Sequence, residues 1–200
     1  MPRRARIDLP DAIHHVTART VNRATLFRDV ADYVACIQFL GLACERYRLR
    51  CLAFCLMPNH LHAVLHAQDG QVSSAMQYLA AAYARRHHHR YRSSGHVFQG
   101  RYDSMLVNRD AYLLEVVRYV LLNPVRARLC GTAIEWRWSS AREALGLRAV
   151  PEWMDFSIVH GLLGPVDGNG VARLERFLSA GARPLQGNGG VRPQRGQTPH

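Results

Sequence analysis

Two short apolar runs, Leu52-Ala53-Phe54-Cys55-Leu56 and Ala63-Val64-Leu65, flank the segment Met57-Pro58-Asn59-His60-Leu61-His62. Runs of this length around a Pro-Asn turn predict two antiparallel strands, Leu49–Leu56 and His60–His66. A hairpin fixes register, and register fixes the face that each side chain takes. His60 and His62 are two apart, so they share a face with Cα atoms roughly 6.6 Å apart, while Leu61 turns into the opposite face. Two imidazoles at that separation can converge on one metal ion. The plain alternative is a structural pair, because an isolated His-x-His is a weak motif.

The flanking sequence supplies the partners of this hairpin. Ala12 to Arg19 carries β-branched residues in weak alternation and predicts a strand. Asp29 can cap a helix whose apolar stripe is Val30, Val34, Ile37, Leu40 and Leu42, ending near Arg46 to Arg48. Asp69-Gly70 marks a turn, and Ser73 or Ser74 starts an Ala-rich helix to about His87. His96 to Val107 reads as extended. Asp110 starts a further helix that should end at Asn123, since Pro124 disfavours the α conformation in the residue before it. Shorter elements follow over 136–145 and 151–163, with a helix near 171–178. The order β-α-β-β-α-β then predicts an α+β fold: a ferredoxin-like (RRM-like) antiparallel sheet with helices packed on one face and the other left free. The expected organisation is a catalytic domain over residues 1–135 and a small helical C-terminal extension over 136–180. A basic, disordered tail is expected over 181–200, where glycine, proline and arginine dominate without an acid.

The chain has 26 Lys and Arg against 15 Asp and Glu, a formal net charge of +11. Such an excess attracts polyanions, nucleic acid first among them. No apolar stretch reaches the ~18 residues of a spanning helix, and the basic start Pro2-Arg3-Arg4 lacks the apolar region of a secretory signal. The five cysteines form no C-x-x-C pair and are odd in number, which fits buried thiols in a reducing cytosol better than a disulfide or zinc framework.

A cation on His60 and His62 needs oxygen donors. On the helix that starts at Asp110, Glu115, Tyr119 and Asn123 fall in i, i+4, i+8 register, which sets a phenol and an amide one turn apart on one face. The Asn123 amide oxygen is a candidate third ligand and Tyr119 a candidate nucleophile beside the metal. Alone, each has a bland reading, Tyr119 as a half-buried packing residue. His14 and His15 fall on opposite faces of the first strand. One could reach the histidine face, but a core role is the expectation. The run His87-His88-His89 is taken as a solvated basic turn. Arg6, Arg19, Arg101, Arg118 and Arg126 are candidates for phosphate contacts, since guanidinium presents a planar fork of donors.

Taken together, several ordered segments resemble the REP-associated tyrosine transposases, within the single-tyrosine HUH transposases of bacteria. These are His15-Val16-Thr17-Ala18-Arg19, Cys55-Leu56-Met57-Pro58-Asn59-His60-Leu61-His62, Gly95-His96-Val97-Phe98-Gln99-Gly100-Arg101-Tyr102, Arg118-Tyr119-Val120-Leu121-Leu122-Asn123-Pro124-Val125-Arg126-Ala127 and Trp138-Ser139-Ser140. They span roughly residues 3 to 180 in the family's order. The resemblance implies a DNA transposase that cleaves and rejoins single-stranded hairpin DNA through a 5′-phosphotyrosine. It implies Tyr119 as nucleophile, and Mg²⁺ or Mn²⁺ held by His60, His62 and Asn123. Such relatives include monomers and dimers that exchange the tyrosine helix, so a homodimer stays open. The expected location is cytoplasmic and nucleoid-associated, with no membrane partner.

Three departures stand out. His14 occupies a position where relatives often have an aromatic residue. Arg128 replaces a glycine, so a different turn is expected there. Ala141 replaces a common aromatic residue. Two rival readings remain beside the transposase: a catalytically silent hairpin-binding regulator, and a water-using, metal-dependent phosphodiesterase.

Overall fold

In a computed structural model of the chain, described here for residues 9–108, 110–163 and 170–182, the backbone hydrogen bonds join four antiparallel strands in the order β2-β3-β1-β4. The strands are β1 (Ala12–Arg19), β2 (Leu49–Met57), β3 (His60–Ala67) and β4 (Asp103–Leu106). With α1 (Val30–Arg46) and α2 (Val72–Tyr91) between them, this is the ferredoxin-like α+β fold that the element order predicts. Helices α3 (Asp110–Arg126), α4 (Ala141–Ala144), α5 (Ser157–Leu162) and α6 (Gly170–Ala182) follow.

The faces of β3 divide cleanly. Leu61, Ala63 and Leu65 are buried towards α2, whose Met76 and Leu79 line a cavity together with Leu61. His60 and His62 point the other way, and Asn123 of α3 reaches His62. Helices α1 and α2 therefore share one face, as expected, and α3 roofs the β2–β3 half of the face expected to be free. This is why β2 reads as an unbroken apolar run rather than an alternating one: it is covered from both sides. Its outer edge is covered too. Leu56 N–H donates to Trp138 O at 2.8 Å, Cys51 N–H to Trp153 O at 3.0 Å, and Ser140 N–H to Phe54 O at 3.0 Å. The Trp138-Ser139-Ser140 segment thus protects an edge that would otherwise pair with another chain.

Four expected boundaries move. Helix α2 runs on to Tyr91, so His87-His88-His89 is helical and not a turn. The extended run 96–107 yields only Asp103–Leu106 as ladder, preceded by one bridge from Phe98 to Thr20, because Gly100 turns the chain at φ +124°. Helix α3 does not stop at Asn123. Pro124 sits inside it, in the last turn, where one missing N–H is tolerated. Gly181, expected to begin the tail, lies in α6, close enough to Arg118 that a Cβ there would meet its Cδ at 2.7 Å. The rest of the expected tail, 183–200, and the candidate Arg6 lie outside the described residues.

Helix α3 ends in a Schellman turn: Leu129 N–H donates to Pro124 O at 2.9 Å and Arg128 N–H to Val125 O at 2.9 Å. Arg128 occupies the left-handed position of that turn, with φ +58°. The turn expected to differ is therefore the one glycine would make, held here by an arginine at a steric cost. Arg128→Gly is expected to raise stability by about 1 kcal/mol, read as a shift of the urea midpoint at unchanged slope.

The α1–α2 pair is held together around a buried carboxylate. Asp32 is fully buried and accepts from Tyr91 Oη at 2.6 Å, Arg86 Nη1 at 2.7 Å, Arg90 Nη1 at 2.6 Å and Arg28 N–H at 2.9 Å. Burial alone would raise its pKa, but these donors outweigh burial and hold it at about 2. The stabilising share of this carboxylate is present above the unfolded pKa near 3.9 and is lost as pH falls through about 2. The stability advantage of wild type over Asp32→Asn, from urea melts at pH 6 and pH 2, should shrink by on the order of 2 kcal/mol.

Candidate active site

The β1–β3 register assembles the site. Thr17 stands opposite His62 and Arg19 opposite His60, so all four share the face beneath α3. The rings of His60 and His62 lie 4.8 Å apart between centroids. Of the two histidines on β1, His14 is the core residue, 3% exposed and in contact with Ser104 Oγ at 3.1 Å. His15 is not a core residue: its ring stacks on His62 at 5.3 Å and meets Tyr119 edge-on at 6.0 Å. The signal that could have found it is its spacing, two residues before Thr17 and hence on the same face.

The hairpin turn holds the first histidine. Pro58 O accepts from Leu26 N–H at 2.7 Å, Asn59 O accepts from Thr20 N–H at 3.1 Å, and Asn59 Nδ2 donates to Arg23 O at 3.2 Å. Tethered in this way, Asn59 sets its Oδ1 2.6 Å from His60 Nδ1. His60 Nδ1–H donates there, which leaves Nε2 with its lone pair. The Met57-Pro58-Asn59-His60 sequence is thus a tight turn and an imidazole clamp at once.

The second histidine is deeper. His62 is 4% exposed, with Asn123 Nδ2 3.3 Å from its Nε2. Burial drives its pKa down to about 2, helped by the charges of His60, His15 and Arg19. Burial and Arg19 likewise take His60 to about 4, and burial takes His15 to about 4. All three imidazoles are neutral at physiological pH and carry a nitrogen lone pair.

Helix α3 delivers the phenol. Leu113, Val116, Val117 and Val120 are buried on the sheet side and fix the rotation of the helix, so Tyr119 and Asn123 come down together on the histidines. The Tyr119 ring is 5.6 Å from that of His62, yet 41% exposed, so a phosphate can reach it. Arg126 lies over the same ring at 5.4 Å. One chain supplies every one of these groups.

The candidate phosphate-binding arginines separate. Arg19 is exposed beside His60, and Arg126 beside Tyr119. Arg101 lines a cavity of about 740 Å³ between α2 and the 95–102 loop, on the Ala18–Leu61 face away from Tyr119. Arg118 pairs with Glu115 and covers the Phe177 ring at 4.5 Å, which docks α6 on α3. Arg118→Ala should therefore lower stability by about 1 kcal/mol and speed proteolysis within α6, while Arg126→Ala leaves both unchanged; urea melts and limited trypsinolysis read the two effects.

The ferredoxin-like sheet thus sets a histidine pair beneath a tyrosine-bearing helix. The chain matches the IS200-like transposases over residues 9–122 and belongs to that family. It is similar to a Haemophilus influenzae protein described as a REP-associated tyrosine transposase, at 25% identity over 121 residues, covering 54% of this chain and 68% of that one. Among solved structures it resembles a REP-associated tyrosine transposase bound to a REP hairpin, with a TM-score of 0.63 and 17% identity, over 79% of this chain and 96% of that one. That likeness is one of fold. No helix among the described residues is long and apolar enough to cross a membrane.

Proposed function

We propose that this transposase cuts and rejoins single-stranded hairpin DNA, with the Tyr119 phenol as nucleophile. The observation that carries the reading is the convergence on one face of an accessible phenol, two neutral imidazoles and an amide. The net charge of +11 and the exposed Arg19 and Arg126 beside the site suit a phosphate backbone. The hairpin bound by the structural relative makes a hairpin the natural substrate class. Association with the nucleoid would follow from such binding.

The donor set fits a hard divalent cation. Among the described residues no group of three or more His, Cys, Asp and Glu is placed to hold a metal, which disfavours a closed zinc site. His60, His62 and the Asn123 amide make a smaller, mixed nitrogen and oxygen set. The Asn123 amide and His62 Nε2 are 3.3 Å apart, close to the ~3 Å edge of an octahedron with ~2.1 Å bonds. Turning the amide about its last bond presents Oδ1 in place of Nδ2. We assign His60, His62 and Asn123 to Mg²⁺ or Mn²⁺, which when bound would draw charge from a phosphate oxygen and so ease attack at phosphorus.

The remaining work belongs to the chain's own residues. Arg19 and Arg126 neutralise the incoming backbone. The apolar face of α3 fixes the line of approach of Tyr119. The phenol oxygen then bonds to phosphorus, its proton passes to solvent, and the P–O3′ bond breaks, leaving a 5′-phosphotyrosine and a 3′-oxygen that takes up a proton to become the hydroxyl. The ester conserves the energy of the broken bond, so another 3′-hydroxyl can reverse the step. Hydrolysis would not need Tyr119.

Tyr119→Phe should abolish cleavage and leave hairpin binding intact, because only the phenol oxygen is lost and the ring still packs. His60→Ala should stop cleavage while Tyr119 remains. Labelled hairpin DNA incubated with each protein and run on a denaturing gel should give a protein–DNA adduct with wild type alone. Cutting by Tyr119→Phe with a free 5′-phosphate would show the water-using phosphodiesterase. Binding without cutting by wild type, over a panel of hairpins and flanks, would favour the silent regulator.

A further inference from the structure

We propose that His15 is a positioning residue: together with the Thr17 hydroxyl it holds His62 in the tautomer whose Nε2 lone pair faces Asn123. The inference rests on the cation site assigned above and deepens it. His62 Nδ1 has two neighbours from β1, Thr17 Oγ1 at 3.0 Å and His15 Nε2 at 3.1 Å. An imidazole nitrogen carries either one hydrogen or one lone pair. One N–H can be shared between two acceptors in a three-centre bond, and on the far side of the ring the Asn123 Nδ2 amide, a donor, stands 3.3 Å from Nε2 and calls for a lone pair there. The arrangement that satisfies both contacts puts the proton on His62 Nδ1, with His15 Nε2 and Thr17 Oγ1 accepting.

The opposite assignment turns His62 Nε2 into an N–H aimed at Asn123, and no cation can bind there. His60 shows the same logic independently, since Asn59 Oδ1 takes its Nδ1–H and leaves Nε2 free. Both histidines are thus held from behind by a side chain that the turn or the central strand fixes in place. His15 also meets the Tyr119 ring edge-on at 6.0 Å, so one imidazole touches both the proposed ligand and the proposed nucleophile. Partners of this kind orient a metal-binding histidine, and losing one typically costs 10- to 100-fold in metal affinity.

The test uses the full chain and Mn²⁺ alone, with affinity read by calorimetry and by the paramagnetic resonance of the free ion. His15→Ala is expected to weaken Mn²⁺ binding by about 10- to 100-fold, and His15→Gln, which restores an acceptor oxygen, to recover part of it. Urea melts without metal check that each variant is folded. If His15→Ala does not fold, His15→Gln and Thr17→Val carry the same comparison. Independently, ¹⁵N spectra of the Mg²⁺-loaded wild type, with His62 assigned by His62→Gln, should place the hydrogen on Nδ1. A hydrogen on Nε2, or an affinity change below about threefold in every folded variant, overturns the proposal. A wild type that binds no Mn²⁺ overturns the cation site and this inference together; a binding wild type with equally tight His15 variants overturns the inference alone.

Discussion

The pairing of β1 with β3 is the constraint on which the rest of the structure depends. Because Thr17 faces His62 and Arg19 faces His60, one ladder places every strand-borne group of the site. A slip of one residue would send the histidines into the α1–α2 core and pull Leu61, Ala63 and Leu65, at most 1% exposed, out of it. The register is therefore protected by burial on the opposite face. The apolar residues that stabilise the sheet and the polar residues of the candidate site alternate along the same strand, and neither set can move without the other.

The tyrosine helix is held by the same economy. Its valines pack on β2 and β3, and that packing brings Tyr119 and Asn123 onto the histidines. From behind, α5 and α6 pack against α3, with Arg118 clasped between Glu115 and Phe177. The segment after α3 also returns to β2 and covers its edge. Among the described residues, the C-terminal elements thus act on the site through α3 and β2 while supplying no group to it themselves. Rigid support of this kind suits the role proposed for Tyr119, a nucleophile that must meet phosphorus along one line.

Much of this was legible in the chain. The limits of β1 and the cap of α1 at Asp29 follow from local residue chemistry, and both stand in the structure. The hairpin and the shared face of His60 and His62 follow from a period of two, which depends on nothing distant. The i, i+4 relation of Tyr119 and Asn123 follows from the helical period in the same way. Where local rules failed, a neighbour decided. Pro124 stays helical because it falls in the last turn of a helix held by packing. Gly181 stays helical because it lies against Arg118. Arg128 adopts a glycine conformation because the Schellman turn demands it.

The sequence by itself determined the strand and helix periods, the basic charge and the family motifs, since all of these lie in the order of residues along the chain. Only the tertiary structure decided that α3 covers the second face of the sheet and that Arg118 serves packing. It alone separated His14 in the core from His15 in the site, and decided which side chains face each ring nitrogen of His60 and His62. These facts depend on which segments, tens of residues apart, come to lie against one another. Periodicity names the face a side chain takes, but not what will be standing opposite it.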